Sequence, residues 1–167
     1  MSDRQVRSQV SEVPQMPEIL ERVLLYALDE GKQRMNAGEE IVPFTTMVVR
    51  DNVFLETHPG DSAQECFNLA QHTVEGARGA NAYALCYDGY IETDNGVKDA
   101  LIAEGGVPGA PEGYAIGFLY TQQEGMLPMF DTNPSYIGEA PNFMSKLRAA
   151  TDYSDAEIDG KYIDGVM

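Results

Sequence analysis

Apolar positions along the first third of this chain recur with a helical spacing and then give way to the alternation of strands. Ile19, Leu20, Val23, Leu24, Ala27 and Leu28 form one stripe, which predicts a helix over residues 18–34. Pro17 suits its first position, where a missing N–H goes unnoticed. Leu25 and Tyr26 widen the stripe toward a partner subunit, and Gly31 and Gly38 blur the end. After Pro43, residues 45–49 and 53–57 read as two strands joined by a tight reversal at Arg50, Asp51 and Asn52. One bent strand would leave the same pattern. Pro59 and Gly60 stop the second piece.

A second helix follows. Asp61 or Ser62 can cap it, and Ser62 with Glu65 matches the S-x-x-E capping box. Ala63, Cys66, Phe67, Ala70, Val74 and Ala77 share one face, while Gln64, Gln71, His72 and Glu75 lie mainly on the other. Gly76 and Gly79 close the helix. Residues 82–93 then alternate Tyr83, Leu85, Tyr87 and Ile91 against Ala84, Cys86, Asp88 and Tyr90, as a strand with two different faces does. The triplet Asp94, Asn95 and Gly96 supplies turn chemistry. Residues 97–104 form a second strand, the Gly- and Pro-rich stretch 105–113 a loop, and residues 114–121 a third strand.

The expected fold is therefore α+β. A five-stranded, mainly antiparallel sheet carries the helices on one face, in the order α-β-β-α-β-β-β. Beyond Gln122 the pattern weakens at Pro128, Pro134 and Pro141. A short C-terminal helix is expected over residues 142–150, through Phe143, Met144 and Leu147. Residues 1–16 read as a flexible arm, 17–150 as a single domain and 151–167 as an acidic, solvated tail. Tyr153, Ile158, Tyr162, Ile163 and Val166 offer that tail anchors against its own domain or a neighbour.

Charge narrows the classes of partner. Twenty-seven acidic residues against eleven basic ones give a net charge of −16. That field repels nucleic acid, phosphate-rich ligands and anionic membranes, and no basic run opposes it. It leaves a basic partner or a cationic ligand open. No segment approaches 18 continuous apolar residues, and the N-terminus lacks a signal-peptide core, so the cytoplasm is the expected location. Cys66 and Cys86, the only cysteines, lie in apolar contexts that suit buried, reduced thiols.

Candidate chemistry is sparse. His58, His72, Cys66 and Cys86 have no zinc spacing, and both histidines read as surface residues. Asp88, Glu92, Asp94 and Asp99 are acidic enough for a hard cation, but the calcium-loop register fails because Gly96 would put Ile91 at its first position. Residues 105–113 match neither a dinucleotide nor a Walker pattern, and no G-x-S-x-G elbow occurs. No cofactor, metal site or catalytic residue is expected. The speculative lining of a ligand cleft is Tyr90, Asp88, Cys86 and His58, because tyrosines concentrate in the three-strand meander.

Over residues 18–121 the predicted element order resembles that of small profilin-like and roadblock-type modules. It is a likeness of element order, with no residue motif, and it implies either a dimerising scaffold or a small-ligand sensor. The leading expectation is a non-enzymatic homodimer that presents its sheet or helix surface to a protein partner. The alternative is a ligand-binding protein or enzyme with a pocket between the sheet and the C-terminal segment.

Overall fold

The computed structural model describes residues 15–148. Most of the expected arm and the whole acidic tail lie outside the described residues. Helix α1 runs over Glu18–Asn36 and buries Leu20, Val23, Leu24, Ala27, Leu28, Gly31 and Met35. Glu18 and Glu21 in its first turn and Arg34 in its last complement the helix dipole. Strands β1 (Phe44–Val49) and β2 (Asn52–Thr57) make the expected hairpin, with Val49 opposite Asn52 and Arg50 at a φ of 59° in the turn.

Helix α2 covers Ala63–Glu75. The Ser62 hydroxyl accepts from the Glu65 N–H at 3.1 Å, as the capping box requires. The return bond lands one residue early: the Asp61 N–H donates to Glu65 Oε1 at 2.9 Å. Strands β3 (Ala82–Thr93), β4 (Gly96–Gly106) and β5 (Gly113–Thr121) form the expected meander.

Three expectations are corrected. The sheet has seven strands, in the order β2-β1-β3-β4-β5-β6, with β7 also paired to β5. The additional strands are β6 (Met129–Phe130) and β7 (Ser135–Ala140), set between the prolines that had obscured them. Residues 143–147 form consecutive turns in place of a helix. Ser145 N–H bonds the Asn142 carbonyl and Leu147 N–H bonds that of Met144, both three residues back. Residues 149–150 of that expected helix are outside the described residues.

The third correction concerns the layers. The two helices lie on opposite faces of the sheet. Ala82, Ala84 and Cys86 pack with α1, together with Phe44, Leu101, Ala103, Ile116 and Phe118. Tyr83 and Leu85, which point the other way, pack with Ala70 and Val74 of α2 and with Met144. Residues 82–86 are all buried, so β3 has no wet face along this stretch. A strand covered on both sides reads as a continuous apolar run, and the expectation of one covered face missed that signal.

Both cysteines are free and buried. Among the described residues, no helix is long and apolar enough to cross a membrane.

Candidate functional site

The α1 face is covered along most of the sheet, whereas α2 is only 13 residues long and leaves part of its own face open. The opening falls over the middle of β3 and β4. There, the register places Leu85 opposite Glu104, Tyr87 opposite Ile102 and Gly89 opposite Ala100. Ala63 and Phe67, from the first turns of α2, form one wall of the resulting cleft, and Phe143 forms another. The cavity holds about 460 Å³.

Gly89 keeps the floor low. A Cβ built there would lie 3.2 Å from Ile102 Cδ1 and 3.4 Å from the Tyr87 ring. A larger side chain at 89 would project into the space between them. Glycine weakens a strand interior, and its presence there often marks a close approach by another group.

The polar centre of the cleft is a tyrosine–carboxylate pair. The Tyr87 hydroxyl donates to Glu104 Oε1 at 2.8 Å. Glu104 is only 6% exposed. A carboxylate so placed needs hydrogen-bond donors, and Tyr87 supplies one of them. The Phe67 and Tyr87 rings meet edge to face, with centroids 5.1 Å apart and planes at 70°. That contact fixes the phenol that in turn orients Glu104.

Phe143 is anchored separately. Its N–H donates to the Tyr83 hydroxyl at 2.9 Å, and the two rings stack at 5.5 Å. Burial, opposed by the bond from Phe143 and reinforced by the Glu104 charge, pushes the Tyr83 phenol well above its ordinary pKa. Asn142 ties the same segment to the β4–β5 loop, donating to the carbonyls of Val107 and Ala110 at 2.8 and 2.7 Å. The wall around Phe143 is thereby held to the sheet.

Of the four residues singled out from sequence, Asp88 and Tyr90 line this cleft. The Asp88 carboxyl, however, receives the Tyr120 hydroxyl at 2.7 Å, on the α1 side of the strand. Partial burial raises its pKa, the Tyr120 bond lowers it and the Asp99 charge raises it, with a net upward shift. Cys86 stands apart from the cleft. It is fully buried beneath α1, where a Cβ on Gly31 would lie 3.1 Å from its sulfur. Burial pushes that thiol far up, outweighing the nearby Arg34, so it is held as an inert SH group.

His58 stands apart as well, and it is not the surface residue expected. It is 2% exposed, with Nε2 2.8 Å from Thr45 Oγ1. Thr45 is opposite Leu85, which is opposite Glu104. Two strand spacings therefore separate the His58–Thr45 pair from the Tyr87–Glu104 pair, on the order of 10 Å. His72 is exposed, as expected.

Glu104 was missed from sequence because it closes the apolar run Ala100, Leu101, Ile102 and Ala103. It is the last residue of the strand expected over residues 97–104. Strand β4 continues to Gly106, which makes Glu104 an interior acid, and a carboxylate within an apolar strand is the signal that would have found it. No group of His, Cys, Asp and Glu able to hold a metal occurs among the described residues.

Comparison with known protein families, curated proteins and solved structures gives no match for this chain. The likeness to profilin-like and roadblock-type modules thus remains one of element order and transfers no residue role.

Proposed function

We propose that the protein binds a small, largely apolar ligand in the cleft between α2, β3 and β4, with a hydroxyl or amine directed at Tyr87 and Glu104. The observation that carries this reading is a cavity of about 460 Å³ whose aromatic and aliphatic walls converge on a buried carboxylate–phenol pair. Ligand sites commonly have this composition and size. Glu104 lines the cleft, and none of its lining residues among the described residues is basic, in a chain of net charge −16. Neutral or cationic ligands are therefore favoured over anions. No reaction is assigned to the cleft.

The test is an NMR fragment screen on the labelled protein. Aromatic amines and alcohols should shift the amides of residues 63–67, 87–89 and 102–104, and matched carboxylates should not. Gly89→Leu should remove these shifts while the rest of the spectrum stays dispersed. Shifts that survive Gly89→Leu, or a screen in which no fragment perturbs the cleft, would refute the proposal.

A second reading is the homodimeric interaction protein expected from sequence. Leu25 and Tyr26 are 39% and 41% exposed on the outer side of α1. The edge strand β2 also presents Val53 and Phe54 to solvent. Exposed apolar residues on a sheet edge favour pairing with another chain. Light scattering decides this. A dimer that Tyr26→Glu or Phe54→Lys dissociates would support it, and a monomer at high concentration would sink it.

A further inference from the structure

We infer that a second cavity, on the α1 side of the sheet, docks a basic segment of a partner protein, with an apolar side chain of the partner seated against Met126 and Leu127 and its Lys or Arg heads meeting Glu39, Glu40 and Asp88. This cavity of about 600 Å³ opens beyond the C-terminal end of α1, where the helix no longer covers β3. Met35 and Ile41 help form its apolar lining. Gly38 and Gly125 turn the chain at its rim with φ of 84° and 79°.

Two independent features indicate the occupant. The first is apolar exposure within one short loop: Met126 is 58% and Leu127 54% exposed, with Met129 at 72% next to them. Unbranched methionine adapts to different partner side chains, and exposed apolar clusters of this kind mark interaction surfaces. The second is charge. Glu39, Glu40 and Asp88 line the cavity, and no lining residue among the described residues is basic. The nearest cations of α1 are engaged elsewhere: Lys32 lies over the Phe118 ring at 4.1 Å, and Arg34 over the Phe44 ring at 4.7 Å.

Asp88 is the best placed of the three acids. The Tyr120 hydroxyl fixes it through Oδ1, so its carboxylate is oriented before any partner arrives. Asp99 adds a like charge beside it, a repulsion that an incoming cation would relieve. Together the apolar rim and the acidic wall suit a segment in which one large apolar residue is flanked by lysine or arginine.

Fluorescence anisotropy with three labelled peptides tests this: alternating lysine and leucine, lysine and serine, and glutamate and leucine. The lysine–leucine peptide should bind at least tenfold more tightly than either control. Leu127→Ser, which alters no charge and touches an exposed side chain, should weaken it at least fivefold. The double variant Glu39→Lys, Glu40→Lys should abolish it, and Gly89→Leu, which fills the other cleft, should leave it unchanged. Equal binding of the lysine–serine peptide, or indifference to Leu127→Ser, would reduce the effect to general attraction by an acidic surface and overturn the proposal. Tighter binding after removal of residues 1–14 would identify the chain's own arm as the occupant. A dimer broken by Leu127→Ser would identify a second copy. Either result would also overturn it.

Discussion

The two faces of the central sheet are built from alternate residues of the same strands, yet they are finished differently. On one face, α1 spans 19 residues and sets Leu24, Ala27 and Leu28, all fully buried, against Cys86, Leu101 and Ala103. On the other, α2 has 13 residues and covers Tyr83 and Leu85 but leaves the approach to Tyr87, Gly89, Ile102 and Glu104 open. One glycine serves each face. Gly31 lets α1 approach the sheet, because a Cβ there would lie 2.9 Å from Leu101 Cδ2. Gly89 keeps an open surface open. The same residue type thus supports close packing on one side and an open cleft on the other.

The contrast is open to direct test. The largest effect should come from Leu28→Ala, which empties a fully buried site on the α1 face and should cost about 2–5 kcal/mol in urea denaturation. A loss below about 1 kcal/mol would mean that this face is no better packed than the other. Gly31→Val should come next, at about 1–3 kcal/mol, because the added methyls meet Leu101 and Cys86. The same change at Gly89 should cost less than about 1 kcal/mol, since its nearest contact is the end of the Ile102 side chain at 3.2 Å, which can turn toward the cleft, and valine suits a strand. Equal costs at the two positions would break the comparison.

Tyr87→Phe sharpens it further. The variant keeps the ring contact with Phe67 and removes the hydroxyl that donates to Glu104. A loss of about 1.5–3 kcal/mol is expected, the range for a hydrogen bond to a charged group. Repeating the measurement in a Glu104→Gln background should shrink the loss, because the acceptor then carries no charge. An unchanged loss would show that the phenol acts through packing alone.

The elements most legible in the sequence were those whose signals are local. The Ser62–Glu65 cap, the reversal at Arg50 and the turn before Gly96 each depend on neighbours within a few positions, and each stands where expected. What was lost depends on distant partners. Strand β7 is six residues long between Pro134 and Pro141, and only its pairing with β5 makes it a strand. The placement of the helices depends on which face of β3 each one meets, and the run Ala82, Tyr83, Ala84, Leu85 and Cys86 suits both. The cleft was half legible: a strand face bearing tyrosines pointed to Asp88 and Tyr90, but nothing near Glu104 in sequence announces that the Tyr87 hydroxyl reaches it diagonally from the next strand.

A smaller effect separates two titratable groups, buried His58 and the more exposed Asp88. Burial lowers the pKa of His58 below its ordinary 6.5, against an opposing pull from Glu56. The folded state therefore resists protonation more than the unfolded chain does. The stability this represents is fully present above pH 6.5 and is lost as the pH falls through the lowered native value. Thermal melts between pH 7.5 and 5 should show a falling Tm, and the fall should be shallower in His58→Gln. Parallel curves for the two proteins would show that His58 contributes nothing to the pH response.

The smallest effect is expected from Asp88→Asn, at the edge where α1 stops covering the sheet, and its sign is opposite to that of His58. The native Asp88 carboxyl has a raised pKa, so the folded state takes up a proton more readily than the unfolded chain. Ionised Asp88 then detracts slightly from stability at neutral pH, and the penalty fades as the pH falls through its native pKa toward the ordinary carboxylate value of 3.8. Asparagine removes the charge and keeps an oxygen for the Tyr120 hydroxyl. The variant should match or exceed the parent at pH 7, by less than about 1 kcal/mol because solvent screens so exposed a group. The two should converge toward pH 4. A variant less stable at pH 7 would mean that the charged bond from Tyr120 outweighs the cost of burial and the repulsion from Asp99. Asp88 would then belong to the closed architecture of the α1 face, and a partner's cation would find less to relieve there.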